Sequence, residues 1–447
     1  MVPFHQRGLC VYEGNFLKYF WIFHSLRNFI SYGVRNILDI KYIKILRRCL
    51  KTLSAWPSKE VGEKESKYDF IGKIYIFLIN LICLPPGVLY IKKYFGVIDF
   101  LELGHTYVTV FINITSLVSN LYKNLVGDFI NKIHLFNHKH HSEYAMSTYI
   151  KVHKVSHFFT MYLNTMVFIG IILFNVTPIY KNISSGAFSN YKTENVTFEH
   201  SVYFELPFDY KHDIKGYLVI FLFDWYMSFV CSSCFSNFDL LMSLMIFHVC
   251  GHLMILIDKL KKFRRPSIKL LINNIEYEWY SDAEMKLVSR DLRNIILHHS
   301  LIVISNTLML FKMSQTFGPI LYLYYMFHII NGCVLLLECS QMSAEALARY
   351  GTLTFVVFQQ LIQISIVFEL LGISNDRLID AVYSVPWECM DKSNRQKVYI
   401  ILMRTQRSLA IKAVDMVDVG VQTMALIIRT SLSYFIMLRT FSGEDTP

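Results

Sequence analysis

Seven stretches of this chain are long and apolar enough to be written as membrane-spanning helices, and that pattern limits the fold more than any motif does. Crossing a bilayer takes about 20 mostly apolar residues in a helix. Such stretches fall near 72–91, 98–122, 157–179, 216–248, 315–339, 350–372 and 418–441. The first holds Pro85-Pro86, which is expected to kink it or end it near the far surface. Charged residues make up 17% of the chain, against about 25% in soluble domains. With 53% hydrophobic residues and a mean hydropathy of +0.36, intrinsic disorder and a soluble enzyme are both poor fits. No phosphate loop, nucleophile elbow or HExxH motif is present. His248 with His252, and His138 with His140 and His141, have no companion ligands for a metal. No catalysis, cofactor or metal is therefore expected.

Basic residues set the orientation. They crowd residues 1–70, the segment between spans four and five, and the segments after spans two and six. By the positive-inside rule these four segments are cytoplasmic, the N-terminus is inside, and the C-terminus is outside. The net charge of +10 would permit nucleic-acid binding, but this distribution assigns it to one membrane face, so no nucleic acid is expected. The sequons Asn182-Ile-Ser184 and Asn195-Val-Thr197 fall in the loop near 180–215 that this topology places outside, so both asparagines are candidate glycosylation sites. Asn113-Ile-Thr115 lies inside a span and is read as a chance match. The N-terminus lacks a signal peptide's apolar core, so the first span is expected to direct insertion. The nine cysteines form no disulfide framework, and Cys231-Ser-Ser-Cys234 reads as membrane packing. Seven spans with the N-terminus inside reverse the topology of a G-protein-coupled receptor.

Helical apolar periods continue beyond the membrane edges at 240–263, 282–312 and 391–412. Helices with apolar faces on one side of a membrane should pack together, either within the chain or as an assembly domain between subunits. The expected divisions are a cytoplasmic helical region at 1–71, spans one to four at 72–248, and anchor helices at 249–314. Spans five and six follow at 315–372, then an anchor helix at 373–417 and the last span with its tail at 418–447. That last span carries Gln422, Thr423, Arg429, Thr430, Ser431, Ser433, Tyr434, Arg439 and Thr440. A buried helix accounts for the hydroxyls through interhelical hydrogen bonds. A helix lining an aqueous pore accounts for the whole set.

Several motifs resemble those of the insect odorant receptor family, in order, over most of the chain. Leu50-Lys-Thr-Leu-Ser-Ala-Trp56-Pro57 is similar to the family's Leu-x-x-x-Gly-x-Trp-Pro signature, with Ser54 in place of the frequent Gly. Leu206-Pro207-Phe208 resembles the stretch before span four; Asp239, His248, Cys250 and Leu256 resemble an Asp followed by His-x-Cys. His298-His299, Glu369-Leu-Leu-Gly372, Ala381-Val-Tyr383 with Trp387, and Arg404-Thr-Gln406-Arg407 are similar to later family stretches, as is Ser433-Tyr434-Phe435 with Leu438. The gustatory-type ending Thr-Tyr-x-x-x-x-x-Gln-Phe is absent.

The resemblance implies an all-α membrane protein with seven helices and a cytoplasmic anchor, four subunits around one pore, and a pore lined by the last helix. It implies an odorant-gated, non-selective cation channel in the dendritic plasma membrane of sensory neurons. The short join between spans four and five resembles a tuning subunit that assembles with the odorant co-receptor. The family's odorant site, in the outer half of helices two, three, four and six, maps onto His105, Thr109, Phe168, Ile172, Tyr217, Phe221, Trp225 and Phe358. Its outer constriction maps onto Met437 and Phe441, with Thr440 where the co-receptor carries Gln. Each aromatic has a packing role as its alternative, and Met437 and Phe441 could instead face lipid.

Overall fold

Among the described residues the first helix with a buried face is α1 (Lys41–Thr52), whose Tyr42, Ile43, Leu46 and Leu50 recur at helical spacing and are fully buried. The computed structural model describes residues 36–52, 55–64, 67–94, 123–190, 196–272, 275–340, 351–406, 412–413 and 417–441. Residues 1–40 form a unit by themselves, in which Ile37–Asp39 makes one 3-10 turn capped by the Asn36 side chain. The second unit, residues 41–447, holds everything that follows.

The chain is mostly helical. After α1 come α2 (Lys67–Tyr94), the short α3 (Lys123–Asp128), α4 (Glu143–Ser184), α5 (Ile214–Lys261), α6 (Asp282–Ser340), α7 (Thr352–Tyr383), α8 (Lys392–Thr405) and α9 (Val421–Phe441). Among the described residues, α4, α5 and α7 are long and apolar enough to cross a membrane, and α9 carries a shorter apolar run. The stretch 98–122 lies outside the described residues. α4 packs on α5, α5 on α7, and α9 on α6 and α7, while α1 lies against α4 and α5.

Three expectations change. Pro85 and Pro86 sit inside α2, which runs on to Tyr94 instead of ending there. The Glu205 N–H bonds the Pro86 carbonyl at 3.1 Å, which ties the segment before α5 to this helix. The segment expected to be cytoplasmic at 282–312 and the span expected at 315–339 are one 59-residue helix, about 88 Å long at 1.5 Å per residue. Likewise α5, at 48 residues, extends to about 72 Å against a hydrocarbon core of about 30 Å. Divisions drawn at 248, 314 and 372 therefore fall inside continuous helices. Finally, the segment joining α5 to α6 is not wholly helical. It folds as an antiparallel hairpin of β1 (Ile268–Ile272) and β2 (Ile275–Trp279), with Ile268 opposite Trp279 and Lys269 paired to Glu278. A two-residue pair, Lys412–Ala413 with Val417–Asp418, precedes α9.

The amphipathic stretch at 391–412 becomes α8, capped by Asp391, with Asn394, Val398, Ile401 and Thr405 buried. Lys397 Nζ donates to Ser289 Oγ of α6 at 2.9 Å, and Asn375 of α7 donates to the Thr405 carbonyl. One face of α8 is thus used within the chain, while Tyr399, Ile400 and Met403 stay exposed.

Candidate functional site

Where α4 ends and α5 begins, residues 196–213 fold back across both helices. A two-point clamp holds them: Asn182 Nδ2 donates to the Glu199 carbonyl at 2.9 Å, and Glu199 N–H donates to Asn182 Oδ1 at 2.8 Å. Lys181 pairs with the Glu199 carboxylate at 2.7 Å. The Tyr210 hydroxyl donates to the Phe204 carbonyl and accepts the Phe204 N–H, closing the loop on itself. A Cβ at Gly216 would fall 2.2 Å from the Asp209 carbonyl oxygen, so only glycine lets the segment lie on the first turn of α5. Over the end of α2, the Lys211 ammonium sits 5.4, 5.5 and 5.1 Å from the ring centres of Tyr90, Tyr94 and Tyr203, a cation–π contact with three faces.

Beneath this segment lies an aromatic ladder. Tyr217, Phe221 and Trp225 are four apart and share one face of α5, with successive ring centres 5.9 and 6.4 Å apart. Phe198 packs at a tilt against Tyr217 with ring centres 4.8 Å apart, and with Ala187 they form a buried cluster against which Phe188 packs. Polar groups line the adjoining face. Ser201 N–H donates to Asp224 Oδ2, and the hydroxyls of Ser201 and Ser228 donate to Asn175 Oδ1. His200 Nε2 donates to the Tyr210 carbonyl at 3.2 Å, which leaves Nδ1 facing Asp224 Oδ2 across 3.9 Å. Burial pushes the His200 imidazole down to about 4, against the smaller opposing effect of its bond to Tyr210.

The expected pocket residues are distributed as follows. Tyr217 is buried, and Phe221, Trp225 and Ile172 are half-buried. Phe168 lies two turns before the buried Asn175 on nearly the same face of α4, yet is 65% exposed, so packing opens at its level and it does not join the ladder. Phe358 is half-buried on α7 and sits where α6, α7 and α9 meet, beside Gly332 and Ser431. His105, Thr109 and Asn195 lie outside the described residues. Asn182, one of the two expected glycan acceptors, is 1% exposed, and its amide bonds Glu199 in both directions. Asp224 was not among the expected residues, although an ionisable side chain inside an apolar span marks a functional position by default.

On α9, Ile427 and Ser431 are buried. Ser431 Oγ donates to the Ile329 carbonyl of α6, and the Cys333 thiol reaches the Ser431 carbonyl. Leu426, Ile436 and Met437, turned away from that contact, are exposed, as is Tyr434. Thr440 is exposed too and bonds the carbonyl one turn back, and Phe441 is the last residue of the helix.

The sequence model of the 7tm Odorant receptor family matches residues 97–432. This chain belongs to that family. Among curated proteins none matches in sequence. The odorant receptor also shares its fold with the insect olfactory receptor OR5 from Machilis hrabei, at TM-score 0.70 and 15% identity over 89% of this chain and 97% of that one. The same receptor in complex with eugenol gives TM-score 0.69 and 14% identity, covering 90% and 98%. The family match stops before Met437, Thr440 and Phe441.

Several of the receptor's motif residues have structural work. Trp56 is buried and its indole N–H donates to Glu63, which also pairs with Arg47 at 2.8 Å. Asp239 accepts the Tyr324 hydroxyl between α5 and α6. His248 joins His134 in bonding the Tyr42 hydroxyl.

Proposed function

We propose that this odorant receptor is an odorant-gated, non-selective cation-channel subunit that acts with the odorant co-receptor in the dendritic plasma membrane of olfactory sensory neurons. The observation that carries this reading is the two-sided α9. One side is fastened to α6 through Ser431, while the side with Arg429, Ser433, Met437 and Thr440 is exposed among the described residues. A polar-studded helix face is costly against lipid, and an aqueous pore between subunits removes that cost. Met437 and Phe441 are four apart and form the proposed apolar gate, with Thr440 beside it; an apolar ring stops ions by dewetting. Seven spans with a cytoplasmic N-terminus complete the proposed topology, and Asn195 is the proposed glycan acceptor.

The proposed ligand is a small volatile odorant. The ladder of Tyr217, Phe221 and Trp225 supports it, together with the eugenol complex of a protein sharing the fold. Ile172, His105, Thr109 and Phe358 are proposed to complete the site, and Phe168 marks an opening into it. Burying apolar ligand surface contributes about 25 cal/mol per Å², so a volatile ligand needs few polar contacts. Odorant shifts the channel only by binding the open state more tightly than the closed one.

The test is co-expression with the co-receptor in cells, recording odorant-evoked currents. The expected result is a cation current without second messengers. A current that requires a G protein throughout, or no odorant that evokes any, rejects the proposal. Met437→Ser is expected to raise the basal current; an unchanged basal current removes Met437 from the gate.

A further inference from the structure

The first turns of α6 carry charges sorted by sign. Lys286, Arg290 and Arg293 recur at helical spacing and are exposed, on the side of the helix opposite the buried Val288, Leu292 and Ile295. The last turns of α7 do the same with the other sign. Asp376 and Asp380 are exposed opposite the buried Asn375, Leu378 and Val382, and the exposed Tyr383 continues their stripe. None of these five charged side chains has an ion-pair partner among the described residues. Elsewhere the chain pairs such groups four apart on one helix, as Lys132 with Asp128 and Lys262 with Asp258. Here Lys286 and Arg290 are like charges at that spacing, as are Asp376 and Asp380, and each such pair weakens its helix.

That repulsion disappears when each stripe meets the opposite sign. Each stripe points away from the core its own helix packs on, so the two do not meet within one chain. They do stand at one height. α8 lies along both helices: Lys397 bonds Ser289 of α6, and eight residues on, the Thr405 carbonyl accepts from Asn375 of α7. Eight residues are about 12 Å of helix, which puts Asn375 level with the α6 turn around 297. Asp380 lies five residues further down α7, level with the turn that holds Arg293. Complementary stripes at one height, on two different sides of one body, fit a head-to-tail contact between copies, and such a contact closes into a ring. We propose that Lys286, Arg290 and Arg293 dock against Asp376 and Asp380 of a second copy of this chain. Exposed ion pairs are individually weak, so the stripes choose the neighbour and its register, chiefly by repelling wrong alignments. The proposal takes from the channel reading only that the chain works as one of several subunits, and it uses no odorant or gate residue.

Full-length protein is expressed without any partner subunit and purified in detergent, and its assembly is read by light scattering and native electrophoresis. The wild type is expected to be multimeric. Arg290→Glu with Arg293→Glu sets acid against acid, and Asp376→Lys with Asp380→Lys sets base against base. Each double variant should lower the multimer-to-monomer ratio on the order of tenfold. Lys261→Glu, an exposed charge off both stripes, is the control and leaves the ratio unchanged. All four stripe substitutions in one chain exchange the two signs and should restore the multimer, which a folding defect would not allow. A monomeric wild type, a double variant that assembles like the wild type, or no recovery in the fourfold variant overturns the proposal. In a second arm the co-receptor is co-expressed; stripe reversal that alters only assembly with it assigns the stripes to that partner and overturns the choice of a second copy. No current is read, so a chain that assembles this way yet conducts nothing rejects the channel reading and leaves this contact standing.

Discussion

Removing one oxygen atom, by Tyr42→Phe, should damage this protein more than removing most whole side chains from its surface. The Tyr42 hydroxyl lies 2.6 Å from His134 Nε2 and 3.1 Å from His248 Nε2. Each imidazole has its other nitrogen committed as an acceptor: His248 Nδ1 takes the Leu135 N–H at 3.1 Å, and His134 Nδ1 takes the Phe136 N–H at 3.2 Å. Both rings must then be neutral and carry their proton on Nε2, so two N–H groups converge on one phenol oxygen. Burial, with smaller contributions from His153, His252 and His138, holds His134 well below its ordinary range, which agrees with a neutral ring. Tyr42, His134 and His248 are all fully buried, so water does not take over the lost acceptor. Two stranded donors at about 1–3 kcal/mol each give roughly 2–6 kcal/mol of destabilisation. Phe keeps the ring packing on His134 and His153, so the loss reports the hydroxyl alone. Thermal and denaturant unfolding of the detergent-solubilised protein measures it. Adding His134→Leu to Tyr42→Phe should cost less than the two single changes summed, since one stranded donor disappears. A Tyr42→Phe change within about 0.5 kcal/mol of wild type, the range of surface substitutions, refutes this account of the hub.

Further outcomes follow from other contacts. His200 is neutral in the fold with its pKa pushed to about 4, while in the unfolded chain it titrates near 6.5, so the unfolded chain binds the extra proton between those values. Its contribution is complete above about pH 6.5 and is lost as pH falls toward 4, amounting to roughly 2 kcal/mol by pH 5. Proteolysis of the 196–213 segment should therefore accelerate on acidification, and His200→Gln should flatten that dependence. Gly332→Ala places a Cβ 2.9 Å from Ser431 Oγ and 3.3 Å from the Phe358 ring, and should cost about 1–3 kcal/mol in thermal unfolding by parting α6 from α9. Asn182→Ala should loosen the loop without changing electrophoretic mobility after glycosidase treatment, whereas Asn195→Gln should abolish any glycosidase shift.

The helices were legible because lipid imposes a long apolar signature, and α4, α5, α7 and α9 lie where the apolar runs place them. Their ends were not, because a period of 3.6 residues does not change at the membrane surface. Leu253, Leu256 and Leu260 continue the apolar face of α5 past any boundary that hydropathy can draw. Tyr217, Phe221 and Trp225 were reached through the family resemblance, and their four-residue spacing accounts for their shared face; the exposure of Phe168 was not legible, because periodicity marks a face without saying whether a neighbour covers it. The polar pairings were hidden for another reason. Tyr42 and His248 are 206 positions apart, and no local pattern connects them.

That hidden layer is also the part lipid cannot supply. Between helices in a bilayer there is no hydrophobic drive to choose one register over another, since lipid tails are as apolar as leucine. The choice falls to the few polar atoms and small residues at the contacts. Asn175 takes the Ser201 and Ser228 hydroxyls where α4 meets α5, Asp239 takes the Tyr324 hydroxyl where α5 meets α6, and Ser431 reaches the Ile329 carbonyl beside Gly332 where α6 meets α9. The helix-to-helix bonds span 53, 85 and 102 positions, and together they run from α4 to the proposed pore helix. A bond in lipid that sets register is worth only about 0.6–2 kcal/mol. Differences of that size are within what a ligand's differential affinity can supply, which is the shift the proposed gating requires.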